Sequence, residues 1–435
     1  MIKKEKPWFL CFDRWALVLF ALGVLTINGK NQLRILGIVL ALAFIYKYFV
    51  SNQRWKGLDH PPEVLAYTMW GIWTGLTGLI VCTSYEFFWM NYRILLQMIV
   101  MIWCVYGLLR LNMSARIVYW TIIVGCIIQV IALKLGYSFE KDVGIVFGEQ
   151  ELGEERVSGL TGNANSLGFV MVTGVMSVFQ LWRMKPSIGS IFIKMFLFVF
   201  IMIATYVTWQ TGSRKTSVAV AVLLVGWSGW VIPQGKGLGS FVTRVVLLFL
   251  LLVIGGSLLT FILDETVVGA RFNELLERGK GSVVAGVEDD IRSDMYRAGL
   301  QMFFAHPVAG VGLGHFQLYY WRGAYSHSDY IEPLACTGLI GFLLYQGFNV
   351  FLVMRVLRLY KAVCDKDEKY RLTAMLLSLA VQMLLGFGAP YWSSQRSFIL
   401  LSVFVAYTWM LEKRLKVGSE PKKMFWKVTD MKHRQ

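Results

Sequence analysis

Unbroken apolar runs, each about as long as a bilayer is thick, constrain this chain more than any other feature. A hydrocarbon core of roughly 30 Å takes about 20 residues of helix to cross. Backbone amides cannot go unpaired there, so only helices or closed barrels span it. The runs are continuous rather than alternating, which excludes a β-barrel. With 56% apolar and 16% charged residues, the chain reads as all-α, a polytopic transmembrane helical bundle. Hydropathy predicts about twelve spans, near 9–27, 33–50, 64–83, 94–109, 117–136, 164–182, 191–209, 216–232, 242–263, 338–357, 372–389 and 395–411.

A net charge of +16 would point to nucleic acid in a soluble protein. Here the excess of Lys and Arg falls on the loops that share a side with the amino terminus, while the opposite side is slightly acidic. That bias places both termini in the cytoplasm. The basic tail, 412–435, then lies against anionic lipid and needs no nucleic acid to explain it. The first apolar run lacks a small-residue cleavage site and is expected to stay as a span. The six cysteines are scattered without metal or redox spacing and read as small packing residues. The organisation expected is spans 1–9 over 1–263, an extracytoplasmic loop over 264–337, spans 10–12 over 338–411, then the tail. No internal repeat or inverted pair of broken helices is evident, which counts against a secondary transporter.

Three outer segments break the pattern. The loop 137–163 is acidic until Arg156 and ends in GLTGNANSLG, where Asn163 and Asn165 either cap the sixth span or bind a sugar. The turn TWQTGSRKTS carries Arg214 and Lys215 on the side where positive charge is disfavoured. The loop from Asp264 to Thr337 is the longest, and loops of that length in compact proteins are functional or disordered; its aromatic content argues against disorder. It opens with RFNELLERGKGS, which reads as an interfacial amphipathic helix. In the next part Ile291, Met295, Ala298, Gly299, Met302 and Phe303 share one helical face, with Arg292, Ser293, Arg297 and Gln301 elsewhere, and Pro307 ends the helix. The preceding Glu288, Asp289 and Asp290 suit a helix amino terminus or a metal ion. GVGLGH matches no dinucleotide fingerprint and implies tight packing or the close approach of a ligand.

In SHSDY, Ser326 and Asp329 have capping-box spacing, which would put His327 in a first helical turn; alternatively the span begins at Pro333. His327 is then either a neutral base at the outer face or a hydrogen-bonded structural residue. His306 and His315 read as structural. Arg297 and Arg322 fit solvated or interfacial roles, the latter among aromatics that could also stack on sugar rings.

Four pieces in order, GLTGNANSLGFVM, TGSRKTS, IRSDMYRAGLQMFFAHPVAGVGLGHF and HSDYIEPLACTGLIG, resemble the O-antigen ligase and polymerase superfamily of bacterial membrane glycosyltransferases. They cover roughly a seventh of the chain. The chain departs from the family pattern at Ser328, where asparagine commonly follows the histidine, and at Cys336, where an acidic residue is common. The resemblance implies a GT-C-like bundle in the bacterial plasma membrane, its site on the extracytoplasmic face. It implies that Arg214 and Arg292 bind the diphosphate of a polyprenyl-linked donor and that His327 is the catalytic base. Lys215, Arg297, Arg322, Asp329 and Arg396 stand as secondary candidates.

The chemistry expected is attack by an acceptor hydroxyl on the donor's anomeric carbon, with inversion and with neither cofactor nor metal. Guanidinium groups grip phosphate oxygens in a fork and stay charged, and imidazole can take the hydroxyl proton. Polymerisation of repeat units into a capsule, exopolysaccharide or O-antigen is the first expectation, with a chain-length regulator and a flippase as companion proteins. Ligation of a finished glycan to another acceptor is the alternative. A transporter or flippase is the third reading, disfavoured because the ionisable residues gather in an outer loop.

Overall fold

The computed structural model describes residues 12–28, 30–50, 60–110, 115–137, 156–183, 191–231 and 286–419. Among these it is all-helical. The helices are α1 (Phe12–Thr26), α2 (Lys30–Ile45, continued by a π turn Tyr46–Val50), α3 (Pro62–Val81), α4 (Tyr85–Arg110), α5 (Ala115–Lys134), α6 (Ala164–Leu181), α7 (Ile191–Gln210) and α8 (Arg214–Val231). Then come α9 (Gly286–Ala305), the single turn α10 (Phe316–Tyr319), α11 (Ile331–Ala362), α12 (Lys366–Leu385) and α13 (Gln395–Ser419).

Among the described residues, seven helices are long and apolar enough to cross a membrane: α2 with its π turn, α3, α4, α5, α6, α7 and α11. A helix also stands at each of the other expected spans except 242–263, which lies outside the described residues. So do RFNELLERGKGS, loop positions 138–155, the tail beyond Ser419, and the side chains of Glu288, Asp289, Asp290 and Arg292. The backbone of the acidic run forms the first turn of α9.

Burial sorts the helices by position. In α6 89% of the spanning window is buried against 39% in α7, so α6 is the central post and α7 faces lipid, as Phe192, at 77% exposure, illustrates. Small residues let the neighbours approach: Gly168 lies against Thr216 of α8, and Gly174 against Cys126 of α5 and Phe200 of α7. α3 packs along α11 and α4 along α13. Tyr67 and Trp70 of α3 form an aromatic cluster with Tyr345, Phe348, Phe398 and Trp392.

α11 breaks at Gly338 (φ 68, ψ −173), a detail the apolar run TGLIG conceals. A break strands backbone groups, and the glycine turn after α9 satisfies them. Val311 and Gly312 amides donate to the Ala335 and Cys336 carbonyls at 3.0 Å, and the Leu339 amide donates to Pro307 at 2.8 Å. The indole of Trp73 donates to the Thr337 carbonyl at 3.0 Å. A methyl group on Gly338 would overlap the Val308 carbonyl, and one on Gly310 the Cys336 backbone. Close approach is therefore the work of GVGLGH. Gly338→Ala is expected to cost about 2–3 kcal/mol from its left-handed φ and this backbone overlap, measurable as a lowered melting temperature in detergent. An unchanged melting temperature would contradict the packing described.

Candidate functional site

The turn that carries His327 is built from local hydrogen bonds. The Ser326 amide donates to Glu332 Oε2 at 2.7 Å, and the Ser328 amide to Ser326 Oγ at 3.3 Å. Ser328 Oγ accepts from the Tyr330 and Ile331 amides at 3.2 and 3.3 Å. Ser328, not Ser326, therefore caps the helix, and His327 precedes it. The capping-box expectation fails because the Asp329 amide donates to the Gly386 carbonyl at 2.8 Å, and the amides at the helix start, those of Tyr330 and Ile331, are met by Ser328 instead. The alternative start at Pro333 comes within one turn, since α11 begins at Ile331.

His327 sits at φ 53, the one non-glycine positive φ among the described residues. This region is sparsely used by side-chain-bearing residues, and such conformations persist where the surroundings enforce them. Its ring lies 4.1 Å from that of Tyr325.

His327 faces a cavity of about 650 Å³ that also receives Arg156, Arg214, Lys215, Arg396 and Glu332. These come from four places in the chain. Arg214 is the first residue of α8, where a cation opposes the helix dipole but the adjoining amides suit an anion. Lys215 donates to the Gly388 carbonyl at 2.9 Å and lies 5.9 Å from the Tyr391 ring centre. Arg396 Nε donates to the Val24 carbonyl at 3.0 Å. Arg156 Nε donates to the Thr211 carbonyl at 2.9 Å and its Nη2 to Asn165 Oδ1 at 3.4 Å. Asn163 caps α6, its side chain accepting from the Ser166 amide at 3.1 Å, and Asn165 lines the cavity.

The other expected residues fall elsewhere or partly so. Arg292 is placed by its backbone on α9, one turn before Met295, whose side chain lines the cavity; the side chain of Arg292 is outside the described residues. The α9 face is as expected, with Met295 and Gly299 buried and Ser293, Arg297 and Gln301 exposed. Arg322 lies over Trp321 at 4.2 Å, beside Asp294, which accepts from Tyr320 Oη and Trp321 Nε1 at 3.0 and 3.1 Å. His315 is fully buried, accepting from the Ser84 amide at 3.2 Å with Nδ1 3.2 Å from the Leu313 carbonyl. Burial holds its pKa below the usual value, a structural role. His306 is exposed.

Asp329 is not a cavity group but an anchor. It is buried, and its carboxylate accepts from Tyr391 and Trp392 amides at 2.6 and 3.0 Å and from Tyr345 Oη at 2.5 Å. It ties the His327 turn to the loop between α12 and α13. Burial pushes its pKa up to about 6, against the lowering effect of those three hydrogen bonds. A carboxyl group raised in the folded state contributes stability that is present below the unfolded pKa of about 3.9 and lost as pH rises through the folded value. The loss amounts to about 3 kcal/mol across roughly pH 4–7. Asp329→Asn keeps an oxygen for the two amides and removes the charge. It is expected to melt higher than wild type at pH 8, the gap narrowing at pH 5; parallel pH profiles would contradict this.

Sequence reasoning missed Glu332, which is 3% exposed yet lines the cavity and holds Ser326. Its only signal was an acidic residue in the first turn of an apolar helix, which reads equally well as a dipole partner. No family model and no curated protein matches this chain. What the fold and cavity define is a helical membrane protein with a cation-lined site beside a strained histidine.

Proposed function

We propose that this chain is a membrane glycosyltransferase that joins polyprenyl-diphosphate-linked oligosaccharide units into a surface polysaccharide. The observation that carries the reading is the convergence of His327 with Arg156, Arg214, Lys215 and Arg396 on one cavity. Four cations facing one carboxylate, Glu332, suit a polyanionic ligand, and a guanidinium fork suits diphosphate. A volume of about 650 Å³ falls in the usual range for small-molecule sites.

In the reaction, an acceptor hydroxyl gives its proton to the His327 imidazole as its oxygen bonds to the donor's anomeric carbon. The bond from that carbon to the phosphate oxygen breaks, and polyprenyl diphosphate leaves with the electron pair. Arg214 and Arg292 hold the diphosphate; Arg156, Lys215 and Arg396 add to the positive field that favours the developing charge. Single displacement inverts the anomeric configuration. The cavity faces the outside of a bacterial plasma membrane and both termini lie in the cytoplasm.

The test is incubation of purified protein in liposomes with a polyprenyl-diphosphate-linked repeat unit, followed by size analysis of the glycan. A ladder of inverted linkages is expected. Transfer confined to an added second acceptor would make the protein a ligase, and absence of any glycosidic bond would overturn the proposal.

A further inference from the structure

A second cavity lies between α1 and α5, at the end of the bundle away from His327. The direction of α1 fixes this placement. The carbonyl of Val24, near its last turn, accepts from the cavity-lining Arg396, while Arg14 begins the helix about 15 Å lower along the axis. α5 runs parallel to it, because Gln129 Nε2 donates to the Leu25 carbonyl at 2.6 Å while Arg116, at its start, shares the second cavity with Arg14. Each helix contributes the same stripe: Arg14, Val18 and Leu22 on α1, Arg116, Trp120 and Val124 on α5, all at i, i+4 and i+8.

The result is an apolar groove of about 510 Å³, roofed at one end by two half-buried guanidinium groups and open to the side at Trp15 and Val124, which are 40% and 43% exposed. The adjacent acid, Asp13, is bound to Lys47 at 3.0 Å. In a membrane this end lies at headgroup depth and the stripe at acyl-chain depth.

We infer that this groove is a binding site for an anionic glycerophospholipid of the leaflet opposite the His327 cavity, its phosphate held by Arg14 and Arg116 and its chains laid along the apolar stripe. Guanidinium forks match a phosphate diester, and basic pockets between helices select anionic headgroups. A zwitterionic lipid would bring its own cation to the same end of the groove. A second protein helix would satisfy the stripe but brings no phosphate to the two guanidinium groups. The inference stands independently of the proposed transferase activity.

The test uses the full-length protein in nonionic detergent, incubated with equimolar phosphatidylglycerol and phosphatidylcholine and examined by native mass spectrometry. Wild type is expected to retain phosphatidylglycerol in preference, and Arg14→Gln with Arg116→Gln to lose that preference roughly 30-fold, the worth of two basic residues near an anionic surface. Arg358→Gln, which removes an exposed charge at the same end on α11, is expected to change nothing. Equal retention of the two lipids by wild type would overturn the inference whether or not the double variant folds. So would unchanged retention by the double variant, or a dimer mass that excludes lipid. Arg14→Lys with Arg116→Lys keeps the charge and is expected to keep most of the preference.

Discussion

Replacing His327 by alanine is expected to lower the rate of glycan transfer by about 10²–10⁴-fold, the usual worth of a positioned general base, with little change in donor KM. The split between the two constants follows from the geometry. Donor phosphate is assigned to Arg214 at the start of α8 and Arg292 on α9, and neither depends on the imidazole. Loss confined to kcat marks an interaction made in the transition state. Because His327 occupies φ 53, alanine there adds local strain of about 1 kcal/mol or more. His327→Asn is the needed companion, since asparagine tolerates the left-handed region and cannot take up the proton. Both variants are expected to lose transfer and the acidic limb of the pH–rate profile while staying in the membrane. Retention of transfer by His327→Asn would mean that the histidine shapes the turn and does no proton chemistry.

The second large effect lies far from the cavity. Glu63 on α3 is 0% exposed, and Arg355 on α11 grips it through Nε and Nη2 at 2.6 and 3.0 Å. The same guanidinium donates through Nη1 to Glu412 on α13 at 2.6 Å and lies 4.5 Å from the Trp409 ring centre. Removing one partner of a buried pair leaves a desolvated charge, so Glu63→Ala is expected to cost about 3–5 kcal/mol. Replacing Glu63, Arg355 and Glu412 together by apolar residues of similar size is expected to be near neutral, because the desolvation penalty vanishes with the charges. Melting temperatures in detergent measure both. If the single and triple variants melt alike, the ion cluster is not what fastens these three helices. Specific activity per folded molecule is expected to stay near that of wild type, which separates this cluster from the site.

Much of the architecture was legible because lipid and water partition helices by composition alone. The helix positions, the α9 face, the Asn163 cap and the tight glycine turn all follow from local rules. The rotation of each helix about its axis does not. In a bilayer the lipid face and the packed face are both apolar, so no hydrophobic stripe reveals which way Arg396 or Arg156 points. Their meeting with His327 depends on non-local hydrogen bonds, such as those to Val24 and Thr211. Asp329 was legible as a charged residue beside the histidine but not as an anchor, because the amides it binds lie in a loop about sixty residues later. The break at Gly338 was hidden for the same reason: the groups that satisfy it belong to the turn after α9.

A cavity that joins sugars must release the lipid carrier with each bond it forms. The most direct measurement is the yield of free polyprenyl diphosphate from purified protein in liposomes, with donor labelled in the lipid and acceptor present. One polyprenyl diphosphate is expected per glycosidic bond formed, with release reduced together with bond formation in Arg214→Ala. Movement of intact donor from one leaflet to the other without such release would contradict it and make the cation-lined cavity part of a transport path.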